Sequence, residues 1–398
     1  MLRQTALIAL ALGVGACHSS SPTWARPGLS AAYPAHWPLV QRTLDSAINA
    51  DAAPGAVIGV SLRGRHWHYG TGVLGIGDST RPDSTTLYDL ASLTKVIGMT
   101  SAVLLGVSEG KLAVDSPLVK YVPAFGTTPE KRTVTLRILL AHASGLPAGR
   151  PLYREAANRA EAIALADTTP LDTVVGTRFV YSDLGAILLS QAVETVYGTR
   201  IDSLLAQRIF GPLGLEDTRY LPPASLRPRI APTEDDPWRQ RMIRGEVHDE
   251  NTARMDGVSG HAGLFSTSTD LLRFADWLLA ATSTPESRCP ASPATLPIPD
   301  SLVRQFIRKQ DIPPGSSRAL GWDTPSGRSS GGDLISRRSF GHTGFTGTSI
   351  WLDPDRCLAI VLLSNRVHPT RENARWGPVR GIMANRVMQA LLADSLTH

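Results

Sequence analysis

The sequence predicts an α+β fold: an antiparallel five-stranded sheet flanked by terminal helices, with a mostly helical lobe inserted between strands 2 and 3. Two strand-like stretches, 56–62 and 66–74, flank Arg63-Gly64-Arg65 and read as a hairpin. Three further strand-like runs appear only after residue 338, and most of the long stretch between carries helical spacing.

Taken along the chain, Arg3 precedes an apolar run from Thr5 to Ala16 that is too short to span a bilayer and ends at Gly15-Ala16-Cys17. Residues 1–17 therefore read as an export signal. Val14-Gly15-Ala16-Cys17 is close to a lipobox, which would make a lipidated Cys17 the first mature residue; an ordinary signal cleaved nearby is the alternative. Residues 18–38, rich in Ser, Pro and Ala, read as a tether. Val40 to Ala50 reads as a short helix. Beyond the hairpin, Leu93 to Val107 is apolar on most faces and stops at Gly110, as a buried helix with a glycine cap would. From Ser182 to Val196 the residues Leu184, Ile187, Leu188 and Ala192 recur at helical spacing, with Gly198 just beyond. Residues 283–300 are a Pro-rich excursion. Strands follow at Ser339–Thr343, Thr348–Leu352 and Cys357–Ser364, then a final helix from Val379 to Ala393. Residues 39–85 and 300–398 would thus form a discontinuous α/β lobe and 86–299 a helical lobe, with a site in the cleft between them. No apolar run after the first reaches about 18 residues, so no other segment is expected to cross a membrane.

The 398 residues, 42% hydrophobic and 19% charged with mean hydropathy −0.05, have the composition of a soluble globular chain. Net charge is +5, but all but five of the 40 basic residues are Arg, and they are scattered. No basic run tracks a phosphate backbone, and no nucleic-acid partner is expected. With Cys17 lipidated, Cys289 and Cys357 remain in an oxidising setting where they could pair. No CxxC or HExxH occurs, and His66 and His68, on one side of a strand, read as surface residues. Neither a metal nor a cofactor is expected.

Three motifs carry chemistry. Ser92-Leu93-Thr94-Lys95 opens the buried helix, placing hydroxyl and amine on neighbouring turns of one face. Burial is expected to lower the Lys95 pKa and make it a base for a Ser92 nucleophile. Ser108-Glu109-Gly110-Lys111 has the same spacing but ends in a helix-stopping Gly, so context supports Ser92 and not the four letters alone. Tyr181-Ser182-Asp183 directly precedes a helix, where Ser or Asp would serve as a cap. Gly341-His342-Thr343-Gly344-Phe345-Thr346-Gly347 ends a strand with glycines that admit a substrate backbone and leave N–H groups for an oxyanion. A G-x-S-x-G match at 327–331 lacks the strand before and helix after that an esterase elbow requires, and reads as a loop.

In this order and at these separations the three motifs resemble the serine β-lactamase and penicillin-binding protein superfamily, in its class C-like branch. Leu139–Pro147, Phe210–Leu215, Val247–Asn251 and Gly260–Ser266 extend the resemblance. It implies that Ser92 is acylated and that Lys95 and Tyr181 share the proton transfers. It also implies that His342 and Thr343 line a carboxylate-binding side, and that the oxyanion hole consists of the Ser92 and Phe345 N–H groups beside Gly344. Roles for Glu250, Asn251 and His261 rest on the resemblance alone. Two departures stand out. Asp183 occupies a position where many members carry Asn, and an acid there favours the charged Lys95 amine and shifts weight to Tyr181. His342 replaces a Lys, giving a weaker, pH-dependent positive charge.

The expected protein is an exported serine hydrolase cleaving amide or ester bonds of cell-wall-related or small substrates through an acyl-Ser92 intermediate. DD-peptidase, D-aminopeptidase and esterase activities all fit, and a weak β-lactamase or a non-turnover penicillin- or muropeptide-binding sensor lipoprotein is the alternative. The expected partners are a small-molecule or peptidoglycan-peptide substrate and a membrane reached through the lipid anchor. The location would be periplasmic, with a soluble or secreted form as the alternative.

Overall fold

A computed structural model describes residues 32–395, so the export signal, Cys17 and most of the tether lie outside the described residues. Helix α1 (Trp37–Asn49) leads into strand β1 (Gly55–Leu62), which turns at Arg63 and Gly64 into β2 (Arg65–Gly72). Both turn residues have positive φ, 52° and 74°, the geometry whose twist matches a two-residue hairpin. The sheet is completed by β3 (Phe340–Thr343), β4 (Ser349–Asp353) and β5 (Leu358–Ser364) in the order β2-β1-β5-β4-β3, every neighbour antiparallel. Early and late segments meet where β1 pairs with β5, Ala56 opposite Ser364 through Leu62 opposite Leu358.

Every residue of β5 is buried, because both faces of the sheet are covered. Ile58, Val60, Leu358, Ile360 and Leu362 face one apolar layer with Trp37, Val40 and Leu44 of α1 and with Met383 and Val387 of the C-terminal helix. Val57, Ala359, Val361 and Leu363 point the other way, into a larger core shared with Leu271, Leu272 and Phe274. These last residues belong to the helix Ser268–Ala281, which packs on β1 and β5 although it lies within the 86–299 segment. The core therefore runs on from the sheet into the helical segment.

Two expectations are corrected here. The tether does not extend to residue 38, since Trp37 is buried between the rings of Tyr33 and Trp67 and α1 starts there. His66 and His68 are half-buried and not surface residues: His66 Nε2 lies 2.6 Å from Asp276 Oδ2 and His68 Nδ1 2.9 Å from Ser268 Oγ, tying β2 to that helix.

The helical run at Ser92 is continuous from Ala91 to Ser108: one tight turn, a wide i→i+5 stretch over Lys95–Thr100, then regular helix α2 (Ser101–Ser108). Its 18 residues have mean hydropathy 1.4 and would suit a membrane span by length and composition, contrary to the expectation that no such run exists. Yet 83% of the run is buried inside the protein, as in a core helix. Helix α3 (Asp183–Tyr197) ends at Gly198 with φ 61°, the left-handed cap the sequence predicts. Cys289 and Cys357 form a disulfide, Cα–Cα 5.3 Å, fastening the Pro-rich excursion to the start of β5.

Candidate active site

Ser92 sits on a strained turn. Tyr88 and Asp89 pair antiparallel with Phe265 and Ser266, and Leu90 N–H donates to Leu264 O at 2.9 Å. Ala91 then takes φ 47°, a region that non-glycine residues rarely occupy. The buried Asp89 carboxylate supports this turn: one oxygen accepts Ala91 N–H at 2.8 Å, the other His248 N–H at 2.6 Å. Asp89 lies inside an otherwise apolar run just before Ser92, a signal that would have marked it.

Lys95, with 1% of its surface exposed, gathers the site. Its Nζ donates to Ser92 Oγ at 3.0 Å and to His261 O at 3.0 Å, and lies 2.6 Å from Asp183 Oδ1. The Asp183 contact lacks hydrogen-bond alignment and is best described as an ion pair. Burial by itself lowers the Lys95 pKa, but Asp183 and then Tyr181 outweigh it and hold the amine above the usual lysine value. The expectation of a lowered pKa is thus corrected: Lys95 is a cation, as the Asp183 departure implied.

Tyr181 and Asp183 are delivered by the start of α3. Ser182 is the cap, accepting Gly185 N–H at 3.4 Å and donating to Pro147 O at 2.7 Å. With the cap supplied by Ser182, both neighbours face other partners. The Tyr181 ring lies 4.9 Å from Lys95 Nζ, between the His142 and His342 rings at 4.7 and 5.8 Å. Its buried hydroxyl has no hydrogen-bond partner among the described residues.

The end of β3 closes the opposite side. Thr346 Oγ1 donates to Asp89 O at 2.7 Å and Thr348 Oγ1 to Leu90 O at 2.9 Å, stitching this turn to the residues before Ser92. Gly344 permits the approach, since a Cβ there would lie 2.3 Å from Leu90 O. Gly344 N–H is taken by Thr348 O at 2.8 Å, whereas Phe345 N–H makes no hydrogen bond among the described residues. His342 does not supply a positive charge. It is buried, its Nδ1 lies 2.8 Å from Thr343 O, and burial, then Arg318 and Lys95, hold its pKa well below 6.5.

Positive charge comes instead from arginines. Ser92, Tyr181, His342, Thr343, Gly344 and Phe345 line a cleft of about 530 Å³ whose wall also carries Arg318, Arg366 and Arg380 together with Asp323. The Arg318 guanidinium lies over the Phe179 and Tyr181 rings at 5.1 and 5.6 Å. Its Nε and Nη1 are buried without hydrogen-bond partners, and Asp323 is 3.8 Å away. No local pattern separates these three from the other arginines, so the sequence did not single them out.

Of the remaining candidates, His261 contributes its carbonyl to Lys95, while its ring is held by Asp249 at 2.8 Å and Ser259 at 2.8 Å. Glu250 pairs with Arg371 at 2.7 Å, and Asn251 staples the 150–153 loop through Tyr153 N–H and Arg150 O. The 327–331 match lies in irregular backbone, as expected of a loop.

The family described as "Beta-lactamase" matches residues 40–382. A Salmonella schwarzengrund protein named "Putative D-alanyl-D-alanine carboxypeptidase" is 32% identical over 328 residues, 75% of this chain and 73% of that protein. A penicillin-binding protein homologue from Caulobacter crescentus superposes with TM-score 0.71 at 18% identity, covering 91% of this chain and 99% of the other. A class C β-lactamase from Rhodobacter sphaeroides does so with TM-score 0.68 at 22% identity, covering 89% and 99%. The chain belongs to the β-lactamase family and is a serine hydrolase.

Proposed function

We propose that the chain hydrolyses an amide or ester of an anionic, D-amino-acid-containing or small substrate through an acyl-Ser92 intermediate. The observation that carries this is Ser92 Oγ at 3.0 Å from a buried Lys95 cation, in a cleft that also holds the unpartnered Tyr181 hydroxyl. Ser92 Oγ attacks the carbonyl carbon, and its proton passes to the Tyr181 oxygen, which lies beside the Lys95 cation. Tyr181 returns that proton to the leaving oxygen or nitrogen as the scissile bond breaks. Water then adds to the acyl carbon, giving a proton to Tyr181, and Ser92 Oγ regains a proton as the ester bond opens. The developing oxyanion lies against the N–H groups of Ser92 and Phe345. Arg318 supplies the cation for the substrate's anionic group: it lines the cleft, and its Nε and Nη1 make no hydrogen bond among the described residues.

The test compares p-nitrophenyl butyrate with the p-nitrophenyl monoester of glutarate, in the chain from Ser19 onward and its Ser92→Ala form, followed past one equivalent of product. Sustained turnover, faster with the anionic ester and lost in Ser92→Ala, is expected. A single stoichiometric burst would identify an acyl-binding sensor instead. Undiminished activity in Ser92→Ala would remove Ser92 from the role. Export and lipid attachment at Cys17 belong to the same reading, resting on the N-terminal pattern; radiolabelled palmitate should enter the full chain and not Cys17→Ala.

A further inference from the structure

Phe345 N–H and Gly344 C=O are two ends of one peptide group. Arg380, in the first turn of the C-terminal helix (Val379–Ser395), donates from Nη2 to that carbonyl at 2.7 Å. A cation on the oxygen of an amide draws electron density through its conjugated N–C=O and leaves the N–H a stronger donor. We propose that Arg380 is a positioning residue for catalysis, which acts through the Gly344–Phe345 peptide to strengthen the Phe345 N–H toward the transition-state oxyanion. The inference rests on the reading of Phe345 N–H as an oxyanion donor.

Four observations support it. The Phe345 N–H is unspent among the described residues, while the Gly344 N–H in the preceding peptide is consumed by Thr348 O. Arg380 Nε is buried without a hydrogen-bond partner, and no acid is among the groups that shift the guanidinium, so its charge is not cancelled locally among the described residues. Arg366 occupies the next peptide, Nε donating to Phe345 O at 2.9 Å with its guanidinium 4.5 Å over the Phe345 ring. That second cation keeps the region positive, and burial together with Arg366 lowers the Arg380 pKa to about 10, which leaves Arg380 charged at neutral pH. Arg366 and Arg380 repel one another, and negative charge developing beside them relieves that repulsion.

The experiment measures kcat and KM for matched p-nitrophenyl ester and thionoester substrates in the wild-type chain, Arg380→Gln and Arg380→Lys. Sulfur accepts hydrogen bonds poorly, so an oxyanion hole favours the oxygen ester, and the ester-to-thionoester ratio of kcat reads the strength of that hydrogen bond. Arg380→Gln should lower ester kcat about tenfold with KM changed far less, and shrink the ratio. Arg380→Lys should recover part of both. If the wild-type ratio is large and Arg380→Gln leaves it unchanged, Arg380 holds the turn structurally and the proposal is overturned. A wild-type ratio near one would instead overturn the reading of Phe345 as a donor, and this inference with it. Should Arg380→Gln fail to fold, Arg380→Lys reads the same ratio, with an intermediate value expected and an unchanged one fatal.

Discussion

The stretch from Ala91 to Lys111 carries the same four-residue spacing at both ends, Ser92 to Lys95 and Ser108 to Lys111, with opposite outcomes. At the first end Lys95 is buried, donates to Ser92 and faces Asp183. At the second, Ser108 Oγ turns back to Leu105 O at 2.8 Å and Gly110 takes φ 70°. Lys111 is exposed there, resting 5.2 Å over the Tyr197 ring with no carboxylate paired to it among the described residues. The contrast teaches that a serine and a lysine three residues apart become chemistry only when other elements bury the amine and supply a counter-charge. Here those elements are α3, the 261–266 segment and the end of β3.

The largest effect expected from this contrast is on turnover. Ser92→Ala should reduce ester hydrolysis at least about a thousandfold, whereas Ser108→Ala should stay within about twofold. Equal losses in steady-state assays would erase the distinction between the two ends.

Next comes stability. Asp183→Asn removes the counter-charge from a buried amine and should lower unfolding free energy by about 1–3 kcal/mol, less than for a fully buried pair because Asp183 is partly exposed. Lys111→Ala should remain within about 0.5 kcal/mol. The pH dependence separates them further. Lys95 has a raised pKa in the folded state, so its contribution is present below the ordinary lysine value near 10.4 and is lost only as pH rises through the folded value. In Asp183→Asn burial acts without that carboxylate, so denaturant melts from pH 7 to 10 should show a flat wild type and a less stable variant, with a gap that narrows as pH rises. A lysine-111 variant as destabilised as the Asp183 one would contradict the account.

The smallest effect is on the acid side. His142 and His342 flank Tyr181 with pKa values held well below 6.5, by burial first and then by Arg318 and Lys95. Unfolded histidines take up protons near pH 6.5, so the stability of keeping these two neutral is present above that pH and is lost as pH falls toward the folded values. Amide exchange at 141–148 and 339–344 should therefore accelerate between pH 7 and 5, after correction for intrinsic rates, more than at 105–112. Uniform behaviour at both ends would show that the histidines are not the acid-sensitive part.

Much of this was legible in the sequence because it is local or periodic. Alternation and turn residues located all five strands to within a few residues, since a strand buried on one or both faces must show its apolar pattern. Ser182, Gly198 and the turn at Arg63-Gly64 announced caps and φ signs that depend on neighbours alone. The order of Ser92, Tyr181 and His342 was sufficient to suggest the family.

Only the tertiary structure decided the electrostatics. Whether burial would lower the Lys95 pKa or Asp183 would raise it depends on a 2.6 Å separation between residues 88 positions apart. Whether His342 would be the site's cation depended on Arg318, 24 positions away, and on complete burial, neither visible in the tripeptide around it. Arg318, Arg366 and Arg380 resemble every other arginine in the chain until the sheet and the C-terminal helix bring them around Gly344 and Phe345. Periodicity reports which face of an element is apolar; charge acts across space, and its sign at a site is set by whichever distant groups the fold brings within a few ångströms.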